Sequence, residues 1–347
     1  MSIRALALLA AAVALLIASA TAVAAVKARS TPPADPYAWA RDAAAGLVED
    51  GSWPALADVD LARDATRGDL DTALAILGGR PVAPSATPTA PASIWTAHLL
   101  MTRALGLEGE RRALARLTTA DGVRLRLPRH FGSEILVREL GLVHNYQADD
   151  DRLERFRRQP IRMAELVYML AAARDLSSWE LEQMARYRGY QLPAMSPARL
   201  TLVQAALSQV GQPYIWGGDW PSRRSPWGAQ ASPGFDCSGL AWWSFKGARA
   251  AQAMEVGSAL RGPTADDMAY ERPAERIPAE AAQPGDLVFF GPLGTKSKRG
   301  TISHMAISLG DGWIVHSSGS RAGVSISSLD AYWPSGTAFG RVLPALS

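Results

Sequence analysis

Cys237 is the chain's single cysteine, and it stands in Gly234-Phe235-Asp236-Cys237-Ser238-Gly239-Leu240. One cysteine cannot close a disulfide within its own chain, which leaves a buried inert thiol, an intermolecular link or a nucleophile. Its neighbours favour the nucleophile. Asp236 is a good N-cap, and Ser238 through Leu240, Ala241, Trp242, Trp243 and Phe245 reads as a helix burying an apolar face. A thiol in the first turn of that helix meets free backbone N–H groups and the positive end of the dipole, which favour thiolate. Asp236 opposes this with its own negative charge, so the sulfur needs a basic partner.

Five histidines are available: His98, His130, His144, His304 and His316. The last two flank Gly310-Asp311-Gly312, a turn signal between two alternating runs, so residues 301–318 read as a β-hairpin. A two-residue loop would turn the two imidazoles to opposite sides of the sheet. A three-residue loop, 310–312, sets Leu309 opposite Trp313 and Ala306 opposite His316. His304 then becomes the diagonal neighbour of His316 on one face, at roughly 7–8 Å between backbones. The spacing predicts that odd-length loop. It also predicts a nucleophile (Cys237), a base (His304) and a residue that orients the base (His316), the logic of acyl transfer through a covalent intermediate. Two polar residues on a solvent-facing strand would be the bland alternative. The helix-start cysteine upstream favours catalysis.

The elements that must position this set follow from the same residues. Ser196-Pro197 opens a helix on which Val203, Ala206, Leu207 and Val210 recur at helical spacing, and Gly211 ends it, so a catalytic domain is expected over 196–347. Asp286, after Pro284-Gly285, is expected to satisfy a turn. Residues 219–230 read as a loop carrying Trp220, Trp227, Arg223 and Arg224, suited either to contact glycan or to tack the loop to the body.

Taken together, Gly217-Gly218, the Phe235 to Leu240 run, Pro284-Gly285-Asp286-Leu287-Val288-Phe289-Phe290, and His304 followed twelve residues later by His316 resemble the NlpC-type papain-like peptidoglycan endopeptidases over about residues 197–345. The resemblance implies an α+β fold: a papain-like catalytic domain, its cysteine-bearing helix packed on a small antiparallel sheet, preceded by a mostly α-helical region. It implies hydrolysis of an amide in peptidoglycan stem peptides, commonly the γ-D-glutamyl bond to a diamino acid, with His316 in the third catalytic place; the alternatives are a catalytically inactive wall-binding or structural protein, or an amidase or acyltransferase on the same scaffold. Tyr214 matches a tyrosine that the family uses beside the nucleophile. Asp236 and Ser238 match positions that some members use to hold the free amine of an L-Ala-terminated stem. Two departures bear on specificity: the connection between Gly218 and Gly234 is long, and the stretch from Lys246 to Gln283 carries no family signature.

The rest of the chain is consistent with export. Residues 1–25 combine Arg4, a nearly unbroken apolar run and small-residue sites, which describes a secretory signal, with an uncleaved membrane anchor as the alternative. A secreted, wall-associated protein is expected. The net charge of +3 suits attraction to an anionic wall without marking a nucleic-acid binder. No zinc spacing, P-loop or dinucleotide fingerprint is present, so neither metal nor cofactor is expected. Residues 35–80 read as a helical repeat-like unit, 81–93 as a Pro/Ala/Thr linker and 94–195 as a second helical unit. Thr66-Arg67-Gly68-Asp69 and Arg162-Met163-Ala164-Glu165 resemble the endings of S-layer-homology repeats, which implies binding of anionic wall polymers. A helical prodomain or spacer is the alternative. His98, His130 and His144 fall here and read as surface or packing residues.

Overall fold

The computed structural model describes residues 35–248, 260–271, 276–334 and 338–341. The expected signal or anchor, parts of the 246–283 connection and the last six residues lie outside the described residues. No helix among the described residues is long and apolar enough to cross a membrane.

The first half is helical: α1 (Ala38–Glu49), α2 (Arg67–Gly78), α3 (Ile94–Ala104), α4 (Glu108–Leu114), α5 (Phe131–Glu139), α6 (Met163–Arg174) and α7 (Ser178–Gln183). Three of these start from extended segments that pair with one another. The Ala65 N–H donates to the Ile161 carbonyl, Ile161 to Ala92 and Ala92 back to Ala65, each at 2.8–2.9 Å, which closes a ring. A helix leaves each segment. Thr66 and Asp69 form a capping box on α2, Ser93 caps α3, and the Glu165 carboxylate reaches back to the Arg162 N–H at the start of α6. The two sequence segments singled out above thus meet directly, and Ser93 heads a third that went unnoticed. Residues 88–93 are held against this ring, with Pro88 and Ala90 accepting from the Gly68 and Arg67 N–H groups at 2.8 Å.

Ser196 accepts from the Arg199 N–H and Pro197 opens α8 (Pro197–Leu207), as the sequence predicts. Short strands β1 (Asp219–Trp220), β2 (Arg224–Ser225), β3 (Gly228–Ala229) and β4 (Gly234–Phe235) then lead into α9 (Cys237–Trp242), which continues as a π-helical turn over Trp243–Gly247. The main sheet contains β5 (Arg276–Pro278), β6 (Leu287–Phe290), β7 (His304–Gly310), β8 (Trp313–Ser318), β9 (Gly323–Ser328) and β10 (Ala338–Arg341). It is antiparallel throughout in the order β5-β10-β6-β7-β8-β9. From its second residue β7 is buried on both faces, so the sheet is an inner layer and not a half-wet one.

Helix α8 is fastened to the sheet by a buried pair: Arg199 Nη1 lies 3.0 Å from Asp286 Oδ1 and also donates to the Pro284 carbonyl. Asp286 Oδ2 accepts from the Gln283 N–H, so it closes the expected turn while neutralising Arg199. The described residues from Ala40 onward form one compact unit.

The hairpin differs from expectation in one detail. Ile307 pairs with Val315 and Ser308 with Ile314, the predicted register, but Gly310 pairs with Trp313 and a bulge falls between Ser308 and Gly310. The turn is therefore the two residues Asp311-Gly312, both at positive φ (51° and 74°). The bulge absorbs the odd residue that the longer loop was expected to take, and the histidines keep their common face.

Candidate active site

The nucleophile position is built by close backbone approach. Phe235 donates its N–H to the Pro213 carbonyl and returns its own carbonyl to the Ile215 N–H, so Tyr214 runs alongside β4, two residues ahead of the cysteine. Asp236 then does three things at once. Its N–H reaches the Gly218 carbonyl, Oδ1 accepts from the Gly239 N–H at 2.6 Å and from Ser238 Oγ at 2.9 Å, and Oδ2 accepts from the Gly217 N–H. It caps α9 as expected and ties the Gly217-Gly218 turn to the helix start. A β-carbon on Gly239 would overlap the Gly218 carbonyl oxygen, which explains glycine two residues after the thiol.

Cys237 is half-buried, and the Met305 N–H of β7 is directed at its sulfur. Burial pushes the thiol up to about 12, and the Asp236 carboxylate adds to the rise. Burial also lowers His304 to about 3 and His316 well below its ordinary value, the latter helped by the positive field of Arg321. All three groups are therefore driven toward their neutral forms in the free protein. At the helix start, burial thus opposes the dipole that favours the thiolate.

His304 Nε2 lies 2.9 Å from His316 Nδ1, with the rings 5.2 Å apart and steeply inclined. The predicted diagonal pair thus meets by direct hydrogen bond. His316 is fully buried, and its other nitrogen, Nε2, is 3.0 Å from Ser327 Oγ. Tyr332 sets its ring edge against His316 at 4.2 Å, and Phe290 flanks His304 at 5.1 Å. Phe290 lies in a motif that sequence reading singled out. Tyr332 was missed, and only an aromatic pair after an apolar strand could have drawn attention to it.

Tyr214 borders the thiol closely enough that a charged Cys237 would raise its phenol further, and burial already raises it, so it stays a hydrogen-bond donor. An open groove of about 620 Å³ runs from Tyr214 past Trp216 and Ser320, with His144, Asn145 and Tyr168 of the helical part along it. Trp216 is 75% exposed beside it. Trp220 and Trp227 pack instead in a ring cluster with Trp242 and Trp243 of α9 and its continuation, so they tack the 219–230 loop to the body.

The remaining histidines do not join the catalytic pair. His98 is buried against Glu134 (2.9 Å), which also pairs with Arg138, while His144 packs edge-on against Tyr146 and Tyr168. Among the described residues no group of three or more His, Cys, Asp or Glu side chains is placed to hold a metal.

Residues 211–341 match the NlpC/P60 family. Over 146 residues the chain is 36% identical to the bifunctional muramidase/DL-endopeptidase CwlT of Bacillus subtilis, covering 41% of this chain and 36% of that protein. Over 128 residues it is 33% identical to the murein DD-endopeptidase MepH of Escherichia coli, covering 37% and 39%. Among solved structures, the P60 domain of an antigen from M. avium subspecies paratuberculosis is 31% identical, with 38% of this chain and 85% of that one covered and a TM-score of 0.28. The chain thus spans less than half the length of these two curated relatives. With the cysteine at a helix start and the paired histidines on the antiparallel sheet, residues 211–341 of this chain are an NlpC/P60 domain of papain-like, α+β architecture.

Proposed function

We propose that the chain is a secreted cysteine hydrolase that cleaves an amide in peptidoglycan stem peptides, at the γ-D-glutamyl bond to a diamino acid. The observation that carries this reading is the 2.9 Å bond to His316 Nδ1 from Nε2 of His304, whose next residue on the strand, Met305, directs its N–H at the helix-start thiol. With Nε2 so engaged, His304 keeps Nδ1 for the sulfur.

The neutral pair sets the order of events. As the thiol sulfur of Cys237 attacks the carbonyl carbon, its proton passes to His304, and the imidazolium stabilises the charge that forms. The Cys237 backbone N–H at the start of α9 supports the oxyanion, with the Tyr214 hydroxyl as second donor. Collapse expels the amine, which takes the proton back from His304. Water, deprotonated by the same base, then releases the acyl group from the thioester.

The relatives' names include both DL- and DD-endopeptidases, so the bond is argued from the amine-side contacts. Asp236 and Ser238 lie together at the helix start; Oδ1 already accepts from two donors, but Oδ2 accepts from Gly217 alone and has capacity for one more. That suits the free amine of an L-Ala-terminated stem. For the helical part, binding of anionic wall polymer is proposed on the ring of three similar helix starts at Ala65, Ala92 and Ile161. Retention of residues 35–195 on purified sacculi in the intact chain, lost on mutating that ring, tests it.

Mass spectrometry of products from defined muropeptides tests the reaction. Cleavage between D-glutamate and the diamino acid, abolished in Cys237→Ala with an unchanged fold, is expected. Equal turnover by that variant rejects covalent catalysis, and a different scissile bond rejects the specificity.

A further inference from the structure

The histidine pair is not the end of the hydrogen-bonded chain. Strand β9 pairs with β8 so that Ser325 lies opposite His316 and Ser327 opposite Ile314, which puts both serines on the face of His316. Ser327 Oγ is 3.0 Å from His316 Nε2 and donates to Glu139 Oε1 at 2.7 Å. Ser325 Oγ donates to the same oxygen at 3.1 Å, and Arg321 Nε lies 3.2 Å from it. Both serines are fully buried, and the Glu139 side chain is 5% exposed. Glu139 is the last residue of α5, in the helical part, 188 positions before Ser327. We propose that Glu139 acts through Ser327 to fix which nitrogen of each catalytic histidine carries the proton, and is therefore a positioning residue for the thiol chemistry.

The argument is one of direction. Burial pushes the Glu139 carboxyl up, but the Arg321 charge and the donors Ser325 and Ser327 oppose that rise, and the oxygen that faces Ser327 serves as acceptor to both serines, so the single hydroxyl proton of Ser327 is committed to it. The Ser327 oxygen must then accept from His316, which places the His316 proton on Nε2. A neutral imidazole has one N–H, so His316 Nδ1 is bare and accepts from His304 Nε2. His304 Nδ1 is left with a lone pair, the state a general base needs. Without the terminal acceptor the chain reads equally well backwards: Ser327 donates to His316 Nε2, His316 Nδ1–H donates to His304 Nε2, and the His304 proton sits on Nδ1, where the thiol's proton must go. Glu139 removes this second reading, the part that the buried aspartate plays for the histidine in serine proteases. Here the acceptor acts across two intermediate side chains and comes from a segment outside residues 211–341.

This inference deepens the hydrolase reading, on which the assignment of His304 as base rests. Its test therefore has a readout independent of turnover. In the full chain labelled with ¹⁵N-histidine, two-bond ¹H–¹⁵N spectra report the tautomer of each ring. Both His304 and His316 are expected as Nε2–H in the wild type. Ser327→Ala and Glu139→Met are expected to bring in the Nδ1–H forms and to lower kcat at least about 10-fold with KM within a factor of two. Glu139→Gln, whose amide oxygen still accepts, is expected to restore the wild-type tautomers and most of kcat. Ser327→Ala deletes one buried oxygen and reports even if the Glu139→Met chain does not fold. An Nδ1–H His316 in the wild type, or unchanged tautomers in Ser327→Ala, overturns the proposal. A wild type that cleaves no muropeptide but shows the predicted tautomer shift rejects the hydrolase reading and leaves the relay standing.

Discussion

Gly239 and Gly218 meet back to back, the α-carbon of one against the carbonyl oxygen of the other, with no room for a β-carbon between them. The Asp236 N–H bonds that same carbonyl, so the turn before the loop and the first turn of α9 form one rigid piece.

Replacing Gly239 with alanine must therefore push α9 off the turn. Overpacking of this kind costs about 1–3 kcal/mol. Gly239→Ala is expected to lower the guanidinium midpoint accordingly and to cut kcat far more than the stability loss explains, because Cys237 moves with the helix. A variant with wild-type kcat would show that the contact does not position the sulfur.

Cys237 is the one cysteine present, so alkylation reads it cleanly. With its thiol pushed up to about 12 and His304 held near 3, the free protein has little thiolate at neutral pH. The iodoacetamide rate constant is expected to climb with pH through 9 and beyond. A plateau from about pH 5 to 8 would indicate a standing thiolate–imidazolium pair and refute the neutral resting state.

Tyr214 carries an intact phenol at any physiological pH, since burial raises it and a charged Cys237 would raise it further. If its hydroxyl supports the oxyanion, Tyr214→Phe loses about 10²-fold in kcat with little change in stability. A change confined to KM would move the residue from transition-state support to substrate binding.

Acid should destabilise the fold through the same histidines. In the unfolded chain both titrate near 6.5, whereas burial holds His304 near 3 and His316 well below its ordinary value. Between those limits the unfolded state binds the extra protons. The stability they contribute is complete above about 6.5 and is lost progressively as pH falls. Denaturant midpoints measured at pH 7.5, 6 and 5 are expected to decline, and His316→Asn should flatten that decline. Identical slopes for the two proteins would count against it.

Much of this site was legible because its determinants are local. Asp236 caps, the residues after Cys237 read as a helix burying an apolar face, and the hairpin announces itself by its turn and its apolar rows. The register followed from parity alone, although the bulge before Gly310 did not: a bulge and a three-residue loop displace the chain by the same one residue. The titration state depends on more than a motif carries. Dipole effects are visible in a motif, whereas desolvation depends on what the rest of the molecule stacks above it. Tyr332 and Glu139 were invisible because nothing near them in sequence needs them. Their partners lie across the sheet, and a glutamate ending a helix looks like any solvated charge.

The ring closed by Ala65, Ala92 and Ile161 has an architectural corollary. Every member both gives and takes one main-chain bond, so deleting any one strands a donor on one neighbour and an acceptor on the other. Such a hub cannot be trimmed a unit at a time. A lineage reshaping this part of the molecule must keep all three spokes or discard the wheel.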